Sequence, residues 1–168
     1  MRRLFIFLFL FNVAFLSAQK SKFTEAKLII LNDSLTLQQY DSIVSKEFEN
    51  GKIPILYFGA TWCGPCKEFK KNITENQYLK TKLKDFTFIQ ADLSDLNTCE
   101  GNTKLGNILG CRNWHGSVPR FSKVDKKGVE INYIMGSGWF MQKPLRIDEF
   151  IRMIMIPNTE SYIFPNLK

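Results

Sequence analysis

The sequence predicts an α/β protein, a mixed central sheet with helices on both faces that ends in a β-hairpin and a helix. Three observations carry this. Apolar runs of strand length alternate with segments of helical spacing in the first two thirds of the chain, the pattern of parallel crossovers. Two later runs flank the turn Asp125-Lys126-Lys127-Gly128, which reads as a hairpin. A last helical face, Ile147, Phe150, Ile151 and Ile154, follows it. At 168 residues, 45% hydrophobic and 23% charged, the chain suits one globular domain.

The N-terminus reads differently from the rest. Arg2 and Arg3 precede an apolar run from Leu4 to Leu16, broken only by Asn12, and Ser17-Ala18-Gln19 follows. A basic start, a short apolar stretch and small residues describe a secretory signal peptide over residues 1–18. The run falls short of the roughly 20 apolar residues a membrane span needs, so an uncleaved anchor is the less favoured alternative. With no cysteine near the cut, a lipid anchor is not expected. Export to a periplasm or to the outside is therefore expected, where disulfides persist. Loss of Arg2 and Arg3 with the leader lowers the net charge from +7 to +5. The remaining charge is spread along the chain without a dense basic run, which argues against nucleic acid as a partner.

Residues 19–36 form an N-terminal extension, with Ala26 to Leu31 as a candidate first strand. The main domain is expected over 37–156. Leu37, Tyr40, Val44 and Phe48 mark a helical face, with Ser34 as its expected cap and Asn50-Gly51 as its stop. Ile53 to Gly59 is a compact apolar run, expected as a buried central strand that leads into Cys63. Phe69 and Ile73 lie on a helical face after the cysteines. Thr74 with Gln77 reads as a capping box for a second helical piece carrying Tyr78, Leu79 and Leu83. Phe86 to Asp92 is a strand, Ser94 to Thr103 a polar loop, and Leu105, Ile108 and Leu109 a short helix. Phe121 to Val124 is the first hairpin strand. In the second, Val129, Ile131, Tyr133 and Met135 alternate with Glu130 and Asn132, which predicts that the apolar set faces inward. The last helix should stop at Pro157, leaving 157–168 as a tail.

The chemistry concentrates in Trp62-Cys63-Gly64-Pro65-Cys66-Lys67. A cysteine that ends a buried strand and opens a helix meets free backbone N–H groups and a partial positive charge. Both favour the thiolate, the nucleophilic form. The spacing places Cys66 one turn on, within reach of Cys63. Gly64 is expected to permit the tight turn and Pro65 to suit the first helical turn. The pattern predicts thiol–disulfide exchange, with Cys63 attacking and Cys66 resolving, and Trp62 as an apolar rim for a partner. A zinc site would want four ligands, and Cys99 and Cys111 do not supply a second close pair, so no metal is expected. Lys67 in place of histidine excludes the haem-attachment pattern. No cofactor is expected.

Cys99 and Cys111 are read first as a structural disulfide, since an exported chain with an even cysteine count favours one. A second redox relay and a free Cys111 remain open. His115, the only histidine, stands in Trp114-His115-Gly116 as a loop residue or as a group facing the active site.

The six residues Trp62 to Lys67 resemble the active-site motif of thioredoxins letter for letter, and Phe58-Gly59-Ala60-Thr61 ahead of them is similar as well. Val118-Pro119 resembles the family's cis-proline, and the resemblance implies that it lies beside the reactive disulfide and helps bind extended substrate. The resemblance covers roughly residues 37 to 156. From Lys67 through Asp92 the chain resembles the C-terminal periplasmic domain of the disulfide reductase DsbD and its thioredoxin-like relatives. It implies a thioredoxin fold, protein disulfides or dithiols as substrates, and a membrane protein as electron donor. The dipeptide Gly64-Pro65 is similar to that of reducing members, at the low end of a range of about −270 to −120 mV. Two departures stand out. The family's buried aspartate six residues before the first cysteine is Tyr57 here, and its lysine partner is Gln90. Tyr57 or water then becomes the candidate for proton transfer. A redox enzyme is the leading reading; a thioredoxin-like binding or sensing module with little turnover is the alternative.

Overall fold

The structure, a computed structural model, describes residues 24–93, 104–113, 118–135 and 147–155. The expected leader, the expected loop at 94–103 with Cys99, the segment holding Trp114 and His115, and the expected C-terminal tail lie outside those residues. Among the described residues ten elements follow one another: β1 (Lys27–Ile30), α1 (Leu37–Glu49), β2 (Ile53–Gly59), α2 (Gly64–Glu75), α3 (Gln77–Lys82), β3 (Phe86–Asp92), α4 (Leu105–Asn113), β4 (Arg120–Val124), β5 (Glu130–Met135) and α5 (Ile147–Met155). The strands form one sheet in the order β1-β3-β2-β4-β5. β1, β3 and β2 run parallel, while β4 and β5 are antiparallel to their neighbours. This is the mixed sheet the alternation predicted.

β2 sits at the centre because it is apolar on both sides. Ile55 and Tyr57 enter one core with Phe69, Ile73, Phe88, Phe121 and Phe150, under α2, α3 and α5. Leu56 and Phe58 enter the other with Tyr40, Val44, Ile89 and Leu105, under α1 and α4. A strand covered on both faces must read as a continuous apolar run, as this one does. Tyr40 also ties α1 to the hairpin, its hydroxyl donating to the Gly128 carbonyl at 3.1 Å. Gly128 has φ +69°, and a Cβ there would stand 2.5 Å from the Tyr40 ring, so both its conformation and its space require glycine.

Three local expectations are corrected. α1 is capped by Thr36, which forms a capping box with Gln39, and not by Ser34. The amide and hydroxyl of Ser34 are both held by the Asn32 side chain at 3.0 Å, so the turn there has already used it. α3 is capped by Asn76, whose side chain accepts from the Leu79 amide, and not by Thr74. Thr74 still belongs to α2 and bonds back to the carbonyls of Lys70 and Lys71, while Gln77 reaches Glu25. In β5 the faces are opposite to the alternation. Ile131 and Tyr133 are exposed at 40% and 43%, whereas Ile134 is buried. The cause is Arg120, fully buried on β4, whose guanidinium draws Glu130 inward to pair with it. The Arg120 guanidinium lies 4.4 Å from the Tyr133 ring centroid, leaving that ring as its outer cover.

Candidate active site

Cys63 is the N-cap of α2, with φ −78° and ψ 108°, and its sulfur accepts the amide N–H of Cys66 at 3.2 Å. The two cysteines are joined by a disulfide, their Cα atoms 5.2 Å apart. Each is only 4% exposed, while the neighbouring Trp62 is 68% exposed. The sulfurs therefore lie in a shallow seat with a large indole projecting beside them. A partner resting on that indole would cover apolar area and the disulfide together. The Lys67 amide donates to the Cys63 carbonyl at 3.2 Å and closes the first turn. Pro65 falls at the start of the helix, where it costs no hydrogen bond.

Gly64 corrects another expectation. It does not have positive φ, and a Cβ added to it would meet nothing within 4 Å. The turn does not need glycine there. What Gly64 leaves is bare, exposed backbone next to the disulfide. Lys67 is likewise exposed.

The Val118–Pro119 peptide bond is cis. Phe58 pairs with Arg120 across β2 and β4, which brings Pro119 to the Gly59 end of β2, the end that leads into Cys63. Pro119 is buried and Val118 is half-buried against both cores. Fold geometry thus gathers residues more than 50 positions apart in sequence to one edge of the sheet. Tyr57 and Gln90 are partners in the β2–β3 register and lie on the same face. The Tyr57 hydroxyl donates to the Cys66 carbonyl at 3.1 Å, and burial pushes its pKa well above the usual tyrosine range. The Gln90 Oε1 is buried and has no hydrogen-bond partner among the described residues. Cys111, in α4, is itself disulfide-bonded.

Sequence reasoning missed Arg120, the residue directly after the cis-proline. Its Nη2 pairs with Glu130, which also accepts from Ser122 at 2.5 Å, and burial lowers the Arg120 pKa. The signal available was a charge in each hairpin strand at positions flanked by apolar residues. It missed too that Tyr57 and Gly59, two apart on one strand face, share a single space: a Cβ at Gly59 would stand 3.0 Å from the Tyr57 hydroxyl oxygen.

A strand-to-helix disulfide with a cis-proline at the same sheet edge defines a thioredoxin-type redox site. The family model for thioredoxin matches residues 32–107. Thioredoxin 1 of Plasmodium falciparum is 30% identical over 99 residues, covering 59% of this chain and 78% of its own length. An H-type thioredoxin of Fagopyrum esculentum is 26% identical over 121 residues, covering 72% of this chain and 85% of its own. A solved structure described as DsbH Oxidoreductase shares the fold at a TM-score of 0.50 and 14% identity, covering 81% of this chain and 90% of that one. The chain belongs to the thioredoxin family and is a thiol–disulfide oxidoreductase.

Proposed function

We propose that this protein works in an extracytoplasmic space and reduces protein disulfides, with Cys63 as nucleophile and Cys66 as resolving thiol. The observation that carries the roles is the Cys66 amide aimed at the Cys63 sulfur at 3.2 Å. A backbone N–H and the helix start both favour negative charge on that sulfur and not on Cys66, one turn inside. The exchange balances in two steps. The Cys63 thiolate forms a bond to one substrate sulfur and releases the other as thiolate. Cys66, having lost its proton, then attacks the Cys63 sulfur and releases the second substrate thiolate. Two electrons pass to the substrate and the Cys63–Cys66 disulfide remains.

An extended substrate would lie on Trp62 and along the chain at Val118–Pro119. The basic, apolar leader over residues 1–18 supports export. An exported reductase needs an electron donor that spans the membrane. Cys99 is the remaining cysteine and the proposed partner of Cys111, forming a structural bridge.

The test is reduction of a model protein disulfide by the purified protein with dithiothreitol as donor. Cys63→Ser is expected to abolish turnover. Cys66→Ser is expected to block it while accumulating a mixed disulfide at Cys63, visible by mass. Turnover that survives Cys63→Ser overturns the role assignment. Absence of turnover in the unaltered protein would leave a binding or sensing module. Export is checked by fusing the full chain to an enzyme active only outside the cytoplasm.

A further inference from the structure

β2 places Tyr57 directly under the first turn of α2. Its ring stacks on Phe121 at 5.0 Å and meets the edge of Phe69 at 4.9 Å, contacts that orient it. Its hydroxyl donates to the Cys66 carbonyl at 3.1 Å. The space for that hydroxyl exists because residue 59 is glycine: an added Cβ would lie 3.0 Å from the oxygen and 3.2 Å from Cζ. The carbonyl it holds belongs to the residue whose amide donates to the Cys63 sulfur. The same carbonyl is in one peptide with the Lys67 N–H, which donates to the Cys63 carbonyl. A donor on that oxygen polarises the peptide and strengthens the Lys67 bond. One buried hydroxyl therefore holds the peptide that makes one backbone contact to Cys63 and adjoins the Cys66 amide that makes the other.

We propose that Tyr57 is a positioning residue for thiol–disulfide exchange: it pins the Cys66 peptide as a hydrogen-bond donor, keeping the Cys66 amide on the Cys63 sulfur, and does not receive the Cys66 proton. This rests on Cys63 being the attacking thiol. A neutral phenol can accept a full proton only by becoming an oxonium, so it would first have to ionise, which burial opposes. Its own proton is already committed to the Cys66 carbonyl. Among the described residues, the groups around it supply no fully buried acid. β3 presents Gln90 and, two register pairs further on, half-buried Asp92 at the sheet end opposite Gly59. α2 carries Lys67, Glu68 and Lys70 on its exposed side, and α5 carries exposed Asp148 and Arg152. β4 turns Phe121 to this face and Arg120 to the other. The Cys66 proton goes to solvent base or to the departing substrate thiolate.

Tyr57→Phe tests this, since it keeps the ring contacts and removes only the donor. The readout is the Cys63 pKa, taken from thiolate absorbance and from the pH dependence of alkylation, with circular dichroism as the check on folding. The variant is expected to raise the Cys63 pKa by roughly half a unit to one unit. Gly59→Ala, which crowds the hydroxyl off the carbonyl while keeping the phenol, is expected to move it the same way. An unchanged Cys63 pKa in both folded variants overturns the proposal. So does a second titration in the resolving step of the unaltered protein that Tyr57→Phe removes, because that would make the phenol a proton relay. If Cys63 in the unaltered protein alkylates no faster than an ordinary thiol, the failure lies with the attacking role of Cys63 and not with Tyr57.

Discussion

The two faces of the sheet solve burial in opposite ways. Under α1 and α4 the protein buries charge and polarity: Glu47, Thr87, Arg120, Ser122 and Asn107 are all on that side. Glu47 accepts from Lys27 at 2.5 Å and from Thr87 at 2.7 Å, and Arg120 lies between Phe58 and Tyr133 with Glu130 as counter-ion. Under α2, α3 and α5 the floor is aromatic. Tyr57, Phe69, Phe88, Phe121 and Phe150 form a chain of ring contacts with centroids 4.8 to 6.3 Å apart. The disulfide belongs to this second face. The difference teaches where the thiol chemistry gets its electrostatics. The buried charges lie on the other face of the sheet, and what meets the cysteines from within is backbone and the Tyr57 hydroxyl.

The largest effects should come from breaking either face, and they should differ in how they can be repaired. Phe69→Ala, which leaves a cavity under the cysteine helix, is expected to cost about 3–5 kcal/mol in urea unfolding. Glu130→Ala leaves Arg120 buried without its counter-ion and should cost about 3–5 kcal/mol too. The double substitution Arg120→Met with Glu130→Leu should recover most of that loss, because an apolar pair fills the site without desolvating charge. If the double variant is no more stable than Glu130→Ala, the charged face depends on more than this pair.

A smaller effect separates the caps. Thr36→Ala should lose about 1 kcal/mol of stability. Ser34→Ala should change it by less than about 0.5 kcal/mol, since Ser34 caps nothing. Equal losses would return the helix start to Ser34.

The smallest effect concerns acid. Glu25 is held below the usual carboxyl range by its hydrogen bond to Lys80 first and to Gln77 second. A carboxylate with a lowered folded pKa stabilises above its unfolded pKa, and that contribution disappears as pH falls through the folded value. Glu25→Gln should therefore change stability at neutral pH only slightly, since the pair is partly open to solvent, and should flatten the fall in stability on the acid side. Midpoints of urea unfolding measured from pH 7 down to pH 3 check this, and an identical slope in both proteins rules it out.

Much of this was legible in the sequence because it is local. The run Ile53–Gly59 announces a doubly covered strand, and a Trp-Cys-Gly-Pro-Cys-Lys stretch after it announces the chemistry. The cis Val118–Pro119 bond followed from the family resemblance. What was not legible depends on partners far along the chain. The alternation in β5 failed because Arg120 recruits Glu130, a tertiary pairing that no period of two reveals. The caps failed because Asn32 and the end of α2 had already engaged Ser34 and Thr74. At the site, Tyr57 could be named as a departure from the family, but its donor role needed the position of the Cys66 carbonyl.

The shared space of Tyr57 and Gly59 also sets the order in which this site can be rebuilt. Putting an aspartate at 57 alone would remove a ring packed on Phe69 and Phe121 and leave a hollow above a glycine. Putting a large residue at 59 alone would collide with the phenol. Neither single step leads to a well-packed intermediate, so the two positions form a two-site lock. An engineer seeking an acid-bearing version of this enzyme would have to change both at once.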